Sequence, residues 1–136
     1  LIDCQPSLGL LTINSLMAAD EVVIPTECEF LALRGVTMLQ DTITRVRERL
    51  NPRLGVAGIL PTMVDPRTSH ARESMETIVE RFGDDVFHSA ILRTIKFPET
   101  NQRGLPLVTA EPTAPGAIAY RHLAWELIDR LERSAS

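Results

Sequence analysis

Lysine is almost missing from this chain. The 136 residues include 14 basic side chains, and Lys96 is the only lysine; the rest are arginine. That scarcity excludes a motif. A phosphate-cradling P-loop needs a lysine in a glycine-rich turn, and Lys96 sits in Thr94-Ile95-Lys96-Phe97-Pro98 with no glycine beside it. Cysteine is as sparse. Cys4 and Cys28 stand far apart without a Cys-x-x-Cys or His partner, and read as free thiols of a reducing cytoplasm rather than a disulfide or metal site. No run of about 18 apolar residues is present, so no membrane span is expected. The start carries an acidic residue at position 3 and no basic leader, unlike a signal peptide. The net charge of −4 argues against indiscriminate nucleic-acid binding by the whole surface and leaves room for a local basic patch. His70, His88 and His122 share no metal-ligand spacing, and Ser7 lies outside a Gly-x-Ser-x-Gly elbow.

What is present is an alternation of short apolar runs with helical stretches, the pattern of βαβ units. Leu1-Ile2-Asp3-Cys4 reads as the tail of a buried strand that delivers an aspartate to its carboxyl end. Residues 8–19 read as a short buried helix, and Glu21 to Pro25 as a β-branched strand. Residues 31–49 form an amphipathic helix with Val36, Leu39, Ile43, Val46 and Leu50 on its apolar stripe, ended by Asn51-Pro52. Val56 to Leu60 is the next strand. Residues 68–82 are a helix closed by Gly83, and Val86 to Leu92 another strand. Residues 98–114, rich in proline, read as irregular. The last helix, about 115–133, is expected to bury Ile118, Leu123, Leu127 and Leu131, with Trp125 in the core.

Four strands separated by helices predict one α/β domain over residues 1–136: a doubly wound, mostly parallel sheet with helices on both faces. Ligands bind such sheets at the carboxyl ends of the strands. That rim would gather Asp3 to Gly9, Thr26 to Glu29, Thr62 to Thr68 and Arg93 to Phe97. An aspartate there can hold Mg²⁺, usually through water, beside nucleotide phosphates; a plain strand-end or N-cap role fits Asp3 alone equally well. Arg67 is either a solvated first-turn residue or a phosphate contact. Lys96 is either a surface lysine or part of the same patch, with Arg72 and Arg103 as weaker additions. Glu27 and Glu29, flanking Cys28, suit loop solvation or a subunit contact.

The order of motifs resembles the ParA/Soj-type chromosome- and plasmid-partitioning ATPases, the deviant Walker A class. The residues that carry the likeness are Ile2-Asp3-Cys4-Gln5-Pro6-Ser7-Leu8-Gly9-Leu10-Leu11-Thr12, Val23-Ile24-Pro25, Cys28-Glu29-Phe30 and Ala32-Leu33. They continue with Thr62-Met63-Val64-Asp65-Pro66-Arg67-Thr68 and Phe82-Gly83-Asp84-Asp85-Val86. The likeness covers essentially the whole chain. It implies a P-loop NTPase-like fold whose N-terminal part is missing here, so that the chain is the C-terminal portion of a ParA-like ATPase domain in a protein about twice as long. It also implies ATP and Mg²⁺ as cofactors, an ATP-dependent homodimer that binds double-stranded DNA without sequence preference, and hydrolysis stimulated by a ParB-type partner. The setting it implies is cytoplasmic and nucleoid-associated, not a membrane.

Residue by residue, the resemblance makes Asp3 the catalytic, Mg²⁺-associated Walker B aspartate and Ser7 to Gly9 the switch-like loop behind it. It makes Thr62, Met63, Arg93 and Thr94 flanks of the adenine, and Arg67 and Lys96 the DNA contacts. Two departures stand out. The family's Cys-Pro-Pro reads Cys4-Gln5-Pro6, and its Pro-Arg-Asn turn reads Leu92-Arg93-Thr94, which puts a hydroxyl where a side-chain amide would face the base. Without a P-loop the chain alone is expected to bind nucleotide weakly. The rival readings are a MinD-like positioning ATPase, disfavoured by the charge-balanced tail from Leu127 to Arg133, and a truncated, non-enzymatic DNA- or partner-binding paralogue. Iron-sulfur reductase relatives lack support from a cluster-type cysteine motif, and tyrosine-kinase relatives from Tyr120, the sole tyrosine.

Overall fold

The structure is a computed structural model that describes residues 1–5, 9–28 and 30–134. Ser7 and Glu29 lie outside the described residues. The elements are α1 (Leu10–Ala18), β1 (Glu21–Glu27), α2 (Phe30–Arg49), β2 (Gly55–Thr62), α3 (Ser69–Phe82), a 3-10 turn (Gly83–Asp85), α4 (Lys96–Gln102), α5 (Leu107–Ala110) and α6 (Pro115–Ser134).

β1 and β2 pair in parallel from Glu21/Gly55 to Glu27/Thr62. The register slips once, between Val22 and Val23, where β2 carries an extra residue. The slip explains the side-chain pattern of β2. Ile59, with Val56 beside it, faces the cluster built from α1, α2 and α3 (Leu16, Val36, Ile43, Val46, Ile78). Ala57 and Leu60 face the opposite cluster with Phe87, Ile91 and the α6 residues Leu123 and Leu127. β2 is therefore covered on both faces, as parallel strands require, and its sequence is correspondingly apolar throughout. Helices on both faces of a parallel sheet are the expected architecture.

The third pass along the sheet shows how the backbone compensates where pairing breaks. Val86 to Leu92 is not the continuous strand that its apolar run predicts. It touches β2's side at two isolated parallel bridges, Ile59/Val86 and Val64/Leu92. Between them the N–H groups of His88 and Ser89 donate to the two carboxylate oxygens of Glu126 on α6, each at 2.8 Å. A side chain thus takes the place of a ladder partner for these two backbone donors. Arg130, one turn further along α6, pairs with Glu126 at 3.2 Å, donates to the carbonyls of Ala57 and Val86 at 3.1 and 2.7 Å, and lies over the Phe87 ring at 4.3 Å. This crowding explains Gly58. It has φ 152°, and a Cβ there would sit 2.7 Å from the Asp85 carbonyl oxygen and 2.8 Å from the Arg130 guanidinium.

Five other expectations are corrected. Leu1 to Gln5 form no strand; the segment is exposed, and β1 pairs only with β2 among the described residues. A lone parallel strand has no ladder to stabilise it. α1 is not buried all round. It packs through Thr12 and Leu16, while Leu10, Leu11 and Met17 are exposed. The proline-rich 98–114 stretch holds α4 and α5, because Pro98 falls in a first turn and Pro106 at an N-cap, where no N–H donor is required. On α6 the inward line runs through Gly116, Ala117, Leu123, Leu127 and Arg130. Ile118, Leu131 and Trp125 turn outward, Trp125 with 68% exposure. On α2 the stripe holds at Val36, Ile43 and Val46, whereas Leu50 is half exposed beyond the helix end.

Burial pushes the Glu126 carboxyl up, but the His88 and Ser89 amides and Arg130 outweigh it and hold its pKa below the ordinary 4.5. A depressed folded value contributes stability above the unfolded pKa, and that contribution is lost as pH falls through the folded value. Arg130→Met should lower unfolding free energy by about 2–3 kcal/mol at pH 7, since it strands Glu126 and two carbonyls. Urea denaturation of the full-length protein measures this, and Glu126→Gln should remove part of the stability loss seen below about pH 4.5.

Candidate functional site

The carboxyl ends of β1 and β2 lie side by side at Glu27 and Thr62. Just beyond, the Val64/Leu92 bridge joins two loops: Val64 N–H donates to Ile91 O at 3.1 Å, and Arg93 N–H to Val64 O at 3.0 Å. Four expected site residues, Thr62, Met63, Arg93 and Thr94, are thereby brought to one place on the rim. Met63 is held at φ 54°, the left-handed region, and is the only non-glycine residue with positive φ among the described residues. Such a conformation costs about 1–3 kcal/mol and persists only where its surroundings impose it. Here the two bridging hydrogen bonds on its C-terminal side impose it. Met63 is also 43% exposed, so an apolar side chain is presented at the rim rather than used in the core.

The next turn is electrostatic. Asp65 accepts from the Arg67 guanidinium at 2.8 and 2.7 Å and from the Arg67 backbone N–H at 3.1 Å. These bonds, then the charges of Arg67 and Arg93, bring its carboxyl down to about 2. The sequence reading singled out Arg67 and Arg93 and missed the aspartate that gathers them. The i, i+2 spacing across Pro66 was the available signal, because proline fixes the turn that folds the arginine back. Thr68 then caps α3, accepting from Ala71 N–H at 3.3 Å.

Lys96 opens α4 on the adjoining loop, its N–H donating to Thr94 Oγ1 at 3.2 Å. Its ammonium pairs with Glu99 at 3.1 Å and Glu111 at 3.5 Å, and the two carboxylates raise its pKa, Glu99 foremost. Both expected DNA contacts are therefore engaged in surface ion pairs. The Arg67 side chain is 86% exposed and Lys96's 42%. Arg72 and Arg103 are exposed nearby in sequence.

Asp3 stands in the exposed segment Leu1–Gln5, away from apolar cover. Its side chain is open to solvent, as a metal-water ligand must be. No group of three or more His, Cys, Asp or Glu side chains gathers among the described residues. A lone carboxylate suits Mg²⁺, which keeps most of its water, and does not suit a dehydrated transition-metal site. His70, His88 and His122 are all exposed. Cys28 is a buried free thiol whose pKa burial pushes up, which keeps it protonated. No helix among the described residues is long and apolar enough to cross a membrane.

Comparison with known proteins adds a pedigree to this geometry. The AAA domain family model matches residues 1–56. An uncharacterised protein of Mycobacterium tuberculosis is 60% identical over 130 residues, which is 96% of this chain and 41% of that protein. The chromosome-partitioning ATPase Soj of Treponema pallidum is 45% identical over 130 residues, 96% of this chain and 51% of Soj. Among solved structures, cobyrinic acid a,c-diamide synthase of Mycobacterium smegmatis, with bound ADP and magnesium, superposes with a TM-score of 0.75 at 38% identity. The match covers 96% of this chain and 46% of that one. The chain thus spans about half the length of the relatives it matches.

One titration tests the rim electrostatics. Asp65 should titrate near pH 2 by carboxyl NMR, and Arg67→Ala should return it toward 3.8. Because the folded value is depressed, the pair's contribution is complete above pH 3.8 and fades as pH drops toward 2.

Proposed function

We propose, for a chain homologous to the Soj and ParA chromosome-partitioning ATPases along nearly its whole length, that it forms the hydrolysis and DNA-contact part of a partitioning ATPase. The complete protein hydrolyses ATP. The phosphate cradle comes from the portion of the protein that lies outside these 136 residues. The observation that supports this reading best is the convergence of Thr62-Met63 with Arg93-Thr94 across the Val64/Leu92 bridge. Two loops on a parallel-sheet rim, one carrying an imposed strained residue, form the kind of place where such sheets take a nucleotide.

Bound Mg²⁺–ATP supplies the phosphoryl group and the positive charge that offsets its transfer to water. This chain's residues have narrower tasks. Asp3 would hold the Mg²⁺ ion, through water, by its exposed carboxylate. Thr62 and Met63 on one side, and Arg93 and Thr94 on the other, line the base. Thr94 offers a hydroxyl there, already accepting from Lys96 N–H. Arg67 and Lys96 face DNA phosphates in a homodimer formed on ATP binding, and a ParB-type partner stimulates hydrolysis. The setting is the nucleoid.

In the full-length protein, Asp3→Ala should cut Mg²⁺-dependent ATP turnover by about 10–100-fold or more while leaving the melting temperature unchanged, since the residue is exposed. Unaltered turnover ends the assignment. For the DNA patch, two phosphate contacts per subunit make four per dimer, so wild-type affinity should fall about 10²-fold between 50 and 200 mM salt. Arg67→Ala with Lys96→Ala should weaken binding to every sequence alike and flatten that slope, as read by fluorescence anisotropy on random-sequence duplexes. A double variant with the wild-type slope removes the patch.

A further inference from the structure

Two stretches of surplus chain face each other just below the rim. Phe87 N–H donates to Ile59 O and Ile91 N–H to Pro61 O, each at 2.9 Å. In a regular parallel ladder, donors two residues apart meet acceptors two residues apart. Here four residues of the third pass run beside two of β2, so the third pass has two in excess. The amides that turn away from β2 mark the place: His88 and Ser89 N–H, which donate to the two oxygens of Glu126. Further on, the excess changes sides. Ile91 gives its N–H to Pro61 and accepts from Val64 N–H, three residues apart where a ladder spans two. The extra residue there falls at Thr62-Met63, and Met63 is the residue held at φ 54°.

The two irregularities offset each other in part. The isolated bridges lie six residues apart on the third pass, Val86 to Leu92, and five apart beside it, Ile59 to Val64. That difference decides which residues reach the rim. A regular ladder would set Ser89 N–H on Pro61 O and carry Arg93-Thr94 two residues past Met63. Ile91, buried in the cluster with Ala57 and Leu60, resists such a slip at one end. Glu126 resists it at the other, by giving each surplus amide an acceptor off the ladder. Arg130 fixes those oxygens in turn. It pairs with Glu126 at 3.2 Å and donates to Val86 O and Ala57 O, so the carboxylate is tied to the start of the pass and to β2 at once. All of these bonds are made within the chain and call on no open surface.

We infer that Glu126, held by Arg130, is a positioning residue for the base end of the nucleotide site: by taking up the surplus at His88-Ser89 it sets Arg93-Thr94 opposite Met63. The inference rests on the proposed reading of the rim as a nucleotide site. Glu126 touches no nucleotide. A displaced Leu92–Thr94 loop costs contacts to the base and spares those to the phosphates, so ATP binding suffers more than turnover of bound ATP.

The experiment uses the full-length protein with Glu126→Gln, which keeps one acceptor oxygen and sets an N–H donor against the other amide. Amide exchange at Val64 and Arg93, followed by NMR, should quicken about tenfold relative to the β1–β2 ladder. KM for ATP should rise about three- to tenfold with kcat within about twofold, and inhibition by inorganic triphosphate with Mg²⁺ should be unchanged. Arg130→Lys keeps a charge beside Glu126 but loses the fork, and should move exchange and KM the same way by less. Leu127→Ala, on the same helix, is the control for lost packing; it touches none of these amides and should leave KM and the relative exchange at Val64 and Arg93 unchanged. Wild-type relative exchange at Val64 and Arg93 in both Glu126→Gln and Arg130→Lys overturns the inference, as does an equal KM rise in Leu127→Ala. Met63→Ala and Thr94→Ala tell the two readings apart. If they raise KM and Glu126→Gln does not, the positioning role fails and the nucleotide site stands. If none of the three raises it, the base does not lie on this rim and both readings fail.

Discussion

One carboxylate–guanidinium pair on α6 sets what the rest of the molecule can do. β2 has a complete neighbour on one side only. On the other, the chain from Val86 to Leu92 leaves the ladder for several residues, and the His88 and Ser89 amides there turn to a side chain for their acceptors. Glu126 supplies both, and Arg130 neutralises Glu126 while tying down the Ala57 and Val86 carbonyls. With that pass pinned, Leu92 reaches Val64, and the Leu92–Thr94 loop lies beside Thr62-Met63. The candidate site is thus positioned from the far side of the sheet, by side chains that never touch it.

The parts legible in the sequence share a feature: their signal is local. The β1 and β2 runs, the α2 stripe through Val36, Ile43 and Val46, the α3 start at Thr68 and its stop at Gly83 all appeared where period and cap residues put them. What escaped depended on distant partners. Nothing near Val86 to Leu92 shows that Glu126 interrupts it. Trp125 reads as core by type, and only the line Ala117–Leu123–Leu127–Arg130 toward Phe87 shows that it faces out. Leu1 to Cys4 reads as a strand by its apolar pair, yet a parallel strand exists only where a neighbour accepts it.

The candidate site divides the same way. The loops that hold Thr62, Met63, Arg93 and Thr94 were visible as strand ends, and their meeting across the Val64/Leu92 bridge follows from parallel topology. Met63's positive φ was not visible, because methionine carries no turn signal; it is imposed by the bridge. Asp65 was overlooked because an aspartate before proline is a common turn former. Its role emerges only once the Arg67 side chain is seen folded back on it.

The ion pairs at Arg67 and Lys96 bear on how a DNA surface here would work. Pairs as exposed as these contribute little, so a phosphate could take the place of Asp65, or of Glu99 and Glu111, at little cost. The carboxylates do not block such contacts; they hold the cations in place and lower the net gain from each one. Since each contact contributes little, affinity must come from their number. On the proposed reading a single copy would offer two and a dimer four, and the salt-dependent part of binding would scale with that count. Weak, pre-paired contacts would therefore make DNA retention depend steeply on whether two copies are held together, whereas two strong, unpaired cations would let one copy bind alone.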